Sequence, residues 1–115
     1  LYFQARDGIN GSELWKTNGT ANGTVMVKDI NSGINGSNLG ELTAVGNTLY
    51  FEADNGINGS ELWKSDGTEA GTVMVKDINS GNGDGSPGYL TTIGNTLYFS
   101  ATDGAYGTEL WKYSL

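Results

Sequence analysis

Histidine and cysteine are absent from the 115 residues, proline occurs once, and no run free of glycine is longer than nine residues, as at Thr72–Ser80. The two missing types remove disulfides, thiolate nucleophiles, the usual base for a serine nucleophile and the commonest metal ligands. Lack of cysteine fits a reducing cytoplasm and an exported bacterial protein held by sheet packing equally well. Positive charge is scarce: six Lys and Arg face thirteen Asp and Glu, a net charge of −7. Without a basic stripe to neutralise phosphates, nucleic acid is not expected as a partner. No apolar run approaches the roughly 20 residues that a spanning helix needs, and no charged-then-apolar leader precedes the first strand, so no membrane span is expected and a targeting segment is expected outside this chain. Each interior glycine costs a helix about 1 kcal/mol, so the 19 glycines leave no room for a three-turn helix. The chain is expected to be all-β.

What is present is repetition. Gly8–Lys16 and Gly56–Lys64 both read GINGSELWK, a separation of 48. Leu-Tyr-Phe recurs at the same spacing, at Leu1, Leu49 and Leu97, so the opening LYFQ is native sequence and not a tag. Residues 13–60 align with 61–108 without a gap, and more than half of the positions are identical. This division gives residues 1–12 as the end of a unit, 13–60 as the first repeat, 61–108 as the second, and 109–115 as the start of another. Periods of 20 to 50 residues mark solenoids, propellers and stacked arrays, in which one unit cannot bury its own faces.

Turn dipeptides cut each unit into four short strands. In the second they are expected at Glu61–Ser65, Thr72–Ile78, Leu90–Ile93 and Thr96–Thr102, with Asp66-Gly67, Gly94-Asn95 and Asp103-Gly104 as turns. A strand with one wet face alternates apolar and polar residues, and these do not. Leu49 and Phe51 oppose Tyr50, Leu62 opposes Trp63, and Val73 and Val75 oppose Met74 and Ile78. Apolar groups on both faces imply small sheets covered on both sides by like sheets. The expected architecture is a β-propeller-like array of four-stranded antiparallel blades, with a β-solenoid or β-sandwich array as the alternative.

The segments ELWKTNGTANGTVMVKDI at Glu13–Ile30, ELWKSDGTEAGTVMVKDI at Glu61–Ile78 and LTAVGNTLYFEADNG at Leu42–Gly56 resemble the ELWxxDGT repeat of long tandem arrays in exported bacterial proteins. The resemblance covers essentially the whole chain. It implies an extracellular or cell-surface setting and a propeller-like fold, and no activity. The first unit departs from the motif at Asn18, where the second keeps Asp66.

Catalysis is the weakest reading of the candidate chemistry. Glu13, Glu61 and Glu109 recur, as do Asp29 and Asp77, and residues repeated in every unit serve the architecture, whereas an active site needs asymmetry. Trp15, Trp63 and Trp111, with Tyr2, Tyr50 and Tyr98, read as packing between sheets before they read as sugar platforms. Tyr89 and Tyr106 lie in loops and differ between units, which makes them candidate ligand contacts together with Asn58 and Asp66. Asp77, Asn79, Asn82 and Asp84 form an oxygen-rich loop that could take calcium, although loop-forming chemistry accounts for the same residues and no cofactor is required. Asn10, Asn18, Asn22, Asn35 and Asn58 fit glycosylation sequons, and tight turns demand the same Asn-Gly pairs. The expected function is noncatalytic adhesion or recognition through loops such as Gly81–Tyr89 and Asp103–Thr108. A structural building block of a surface layer or filament, and a carbohydrate-binding lectin with one shallow site per repeat, are the alternatives. Expected partners are further copies or repeats of the chain, in a dimer, ring or fibre, and a glycan or other surface ligand.

Overall fold

A computed structural model describes all residues from Leu1 to Leu115. It contains ten β-strands and no helix: β1 (Tyr2–Arg6), β2 (Ser12–Lys16), β3 (Val25–Lys28), β4 (Gly40–Val45), β5 (Thr48–Asp54), β6 (Ser60–Ser65), β7 (Val73–Lys76), β8 (Gly88–Ile93), β9 (Thr96–Thr102) and β10 (Thr108–Ser114). All pairings are antiparallel and join strands adjacent in sequence. They form a first sheet β1-β2-β3, a middle sheet β4-β5-β6-β7 and a last sheet β10-β9-β8, none of them closed.

The parity of the sequence becomes the layering of the sheets. Leu49, Phe51, Ala53 and Trp63 of the middle sheet pack in one buried cluster with Leu14, Val27 and Ile30 of the first sheet and the loop after β3. Tyr50, Leu62 and Ile78 form a second cluster with Leu97, Phe99 and Ala101 of the last sheet. The middle sheet is therefore covered on both faces, and its strands carry apolar residues on both parities for that reason. Polar contacts tie the same seams. Lys16 Nζ donates to the Gly67 carbonyl at 2.7 Å and Lys28 Nζ to that of Thr72 at 3.0 Å, while Lys76 Nζ lies 5.9 Å from the centre of the Trp111 ring.

Several details differ from the sequence expectation: only the middle sheet has the expected four strands while the first and last have three, and β8 begins at Gly88 and not at Leu90. The strand expected at Thr72–Ile78 is confined to Val73–Lys76. At its start the Thr72 hydroxyl folds back to the Thr68 carbonyl at 2.6 Å, and at its end the Ile78 amide donates to Glu61 Oε2 at 2.8 Å, leaving the ladder. Ile78 consequently packs with Val75, not on the side of Met74, because a bulge shifts the β6–β7 register between Leu62 and Trp63 and the strand has ended before Ile78. Finally, the middle sheet runs from Gly40 to Lys76 and so straddles the unit boundary drawn at Glu61.

Candidate functional site

Two ends of the sheet stack carry the loops. At one end, Glu61 is fully buried and its carboxylate acts as a clamp. It accepts hydrogen bonds from the amides of Ile78 at 2.8 Å, Asn79 at 3.3 Å and Gly85 at 3.0 Å. Glu13, also fully buried, does the same for Ile30 at 2.9 Å and Asn31 at 3.3 Å. Burial pushes the Glu61 carboxyl up to about 7 against the pull of these amides, and raises Glu13 for the same reason. The clamp leaves no space at Gly85, where a Cβ would stand 2.3 Å from Glu61 Oε2. Each clamped loop then hands on to the next sheet: the Ser37 carbonyl accepts from Asp54 N at 2.8 Å and that of Gly85 from Thr102 N at 2.9 Å. Glu109, at the matching position of the last sheet, is exposed. These recurrent acids hold loops in place.

The oxygen-rich loop is largely spent on its own geometry. Asp77 Oδ2 accepts from Asn58 Nδ2 and from Gly81 N, each at 3.2 Å; Asp84 Oδ1 accepts from Ser60 N at 2.8 Å; and Asn79 Nδ2 donates to the Asp84 carbonyl at 2.9 Å. Asn82 is exposed, and Asp77 Oδ1 is buried with no hydrogen-bond partner. No three His, Cys, Asp or Glu side chains converge on a point that a metal could occupy. Calcium is expected to stabilise the protein by less than the about 2.7 kcal/mol that a site saturated at 100 times its dissociation constant would give. A thermal midpoint raised by more than about eleven degrees on adding calcium, and returned by chelator, would contradict this, since in a domain of this size about 0.24 kcal/mol corresponds to one degree.

At the opposite end Asp66 opens the β6–β7 loop. Its Oδ1 accepts from the Thr68 hydroxyl at 2.6 Å and the Thr68 amide at 2.9 Å, and these bonds lower its carboxyl below the usual range. Asn18 Oδ1 makes the same pair of bonds to Thr20, at 2.6 and 3.0 Å. An amide oxygen thus replaces the carboxylate without changing the turn, so the acid of the motif is a turn former here. Asp66 also edges a shallow hollow of about 280 Å³ with Tyr50, Lys64 and Val73.

Several residues that differ between units occupy strained or open positions. Only four non-glycine residues have a left-handed backbone: Asn38 (φ 49°), Glu41 (56°), Ser86 (47°) and Tyr89 (54°). They are two pairs 48 apart, at the entry to β4 and β8, where both strands are bulged against their partners. Such strain persists only where the surroundings over-determine it, and it gathers at sites of contact. The Tyr89 amide donates to Glu41 Oε1, which brings the two equivalent positions of neighbouring sheets together. Tyr89 is 85% exposed. Glu52 lies close by: its carboxyl is raised first by burial, then by the charges of Glu41 and Asp84. The Glu41 carboxylate therefore holds the backbone of Tyr89, whose side chain is open to solvent. Tyr106, 81% exposed, lies on the β9–β10 loop and borders a hollow of about 410 Å³ with Asp103, Glu109, Leu110, Trp111 and Lys112.

Of the expected site residues, Asn58 and Asp77 are brought together, as are Asn79 and Asp84, while Tyr89, Tyr106 and Asp66 belong to three separate loops or strand entries. Glu41 and Glu52 were not expected. The sequence signal for Glu41 is its alignment with Tyr89 at a position where the units disagree. No protein-family model matches the chain, and comparison with curated proteins and with solved structures finds no match.

Proposed function

We propose that the chain is a noncatalytic recognition module of a bacterial exported or cell-surface protein, built as a propeller-like array of 48-residue repeats. The observation that carries this reading is the division of its aromatic residues. Trp63, Tyr50, Phe51 and Phe99, which recur in every unit, are buried between sheets; of the three aromatics that do not recur, Tyr113 packs edge-on against Tyr50, whereas Tyr89 and Tyr106 present their rings to solvent. Face-to-face antiparallel sheets support the propeller-like architecture, and the likeness to ELWxxDGT arrays supports the setting.

The hollow that Tyr106 lines with Asp103 and Glu109 suits a polyhydroxylated ligand, since an aromatic ring stacks on the sugar face and carboxylates accept its hydroxyls. Among recognition functions this favours a glycan over an anionic polymer, which a net charge of −7 would repel. A glycan array with and without calcium tests the reading. Binding to a set of related sugars is expected, lost in Tyr89→Ala or Tyr106→Ala with the unfolding midpoint unchanged. Absence of binding to any glycan or surface extract would favour the alternative of a structural building block.

A further inference from the structure

The two interfaces within the molecule are one interface made twice, and both of its halves are left open at the ends of the stack. Directly opposed residues of an antiparallel pair share a face, so the registers fix which side chains look outward. On the first sheet Phe3, Ala5, Trp15 and Met26 lie on the face turned away from the middle sheet, with Leu1 beside them. They are the counterparts, 48 residues earlier, of Phe51, Ala53, Trp63, Met74 and Leu49, which the middle sheet packs against the first. On the last sheet Tyr98, Leu110 and Ile93 face outward. They match Tyr50, Leu62 and Val45, which the middle sheet packs against the last. The contrast in burial is large: Leu62 is 1% exposed and Leu110 77%, Leu49 is 3% exposed and Leu1 85%. Phe3, Ala5, Trp15, Met26 and Tyr98 are half-buried, while Leu1, Ile93 and Leu110 are exposed.

We infer that the outer face of the last sheet of one copy docks on the outer face of the first sheet of a second copy, in the arrangement that already joins the sheets within each chain. The occupant of each face is set by the internal pairs: the Leu62 face takes a Leu97-Phe99-Ala101 face, and the Leu1-Phe3-Ala5 face is the same surface two repeats earlier. The polar seam has its counterpart as well. Lys16 donates to the carbonyl of Gly67, and by the same spacing Lys112 meets the carbonyl of Gly19 in the second copy. The contact is heterologous, since the two copies use different surfaces, and its repetition gives a ring if the rotation closes and a filament if it does not.

Sedimentation of wild type, Leu110→Lys, Phe3→Lys and an equimolar mixture of the two variants tests this, at about 100 μM, where an interface of micromolar affinity is mostly occupied. Wild type is expected to exceed the monomer mass of 12.1 kDa. Each variant alone should be a monomer at the concentration where wild type is assembled. The mixture should form a dimer and nothing larger, because one intact face from each copy remains and the two are complementary. Circular dichroism confirms that the variants are folded, and Leu1→Lys replaces Phe3→Lys if that one is not. A monomeric wild type, variants that assemble as wild type does, or a mixture that stays monomeric would each overturn the inference. Dimerisation of either variant alone would do so too, since it would mean that a face pairs with itself.

Discussion

Trp63→Ala is expected to lower the free energy of unfolding by about 3–5 kcal/mol, the usual cost of truncating a large buried aromatic. The ring is almost wholly buried between the first and middle sheets, in the cluster with Leu14, Val27, Leu49 and Phe51. Its indole Nε1 has no hydrogen-bond partner, so the loss is one of packing and cavity formation. Trp15→Ala should cost less, because Trp15 sits on the open face of the first sheet and is only half-buried. Urea unfolding followed by tyrosine and tryptophan fluorescence measures both. A Trp63→Ala protein with wild-type stability and impaired sugar binding would make the repeated tryptophan a ligand platform and refute its role in packing.

Stability is expected to fall as the pH rises from about 5 to 8, with Glu61 as a main cause. Its carboxyl stands at about 7 in the folded protein against an ordinary value of 4.5, raised by burial and, more weakly, by Asp77. Across that window the folded state binds more protons than the unfolded chain. The contribution of Glu61 is therefore fully present below about 4.5 and lost as the pH passes 7, with an upper limit of about 3 kcal/mol. Glu13 and Glu52 are raised as well and act in the same direction. Glu61→Gln removes the titrating group and keeps one oxygen, enough for the amides of Asn79 and Gly85 but not for that of Ile78, so the variant should be less stable overall while its stability varies less with pH than that of the wild type. Urea midpoints at pH 5 and pH 8 for both proteins give the comparison. A wild type that is as stable at pH 8 as at pH 5, or a variant with the same slope, would contradict it.

Much of the layering was legible in the sequence. Alternation in β5 and β6 placed Leu49 and Phe51 opposite Tyr50, and Leu62 opposite Trp63, and the sheets follow that assignment. Turn dipeptides located the strand ends of β9 to the residue. The partition into sheets was not legible, because a periodic sequence can be cut at any phase and only the hydrogen bonds reveal that β4 to β7 belong together. The early end of β7 was hidden for a different reason: the Glu61 carboxylate reaches amides 17 to 24 positions downstream, a distance at which no local propensity speaks. Recurrence did mark Glu13 and Glu61 as architectural, though not what they hold. The left-handed residues at Glu41 and Tyr89 were silent, since neither side chain favours that conformation and the strain comes from the bulged strand entry. Tyr89 and Tyr106 were found because they break the repeat, and both prove exposed.

Amide hydrogen exchange at submicromolar concentration, where an interface of micromolar affinity is mostly dissociated, reads the stacking of the sheets most directly. Repeated residues cover the middle one of the three sheets on both faces. The slowest amides should then be those in the β5–β6 ladder, around Phe51, Leu62 and Trp63, with faster exchange in β1 and β10, which are edge strands of the outer sheets. Protection in β1 and β10 equal to that in β5 and β6 would contradict the stacked arrangement and the division of roles drawn from it.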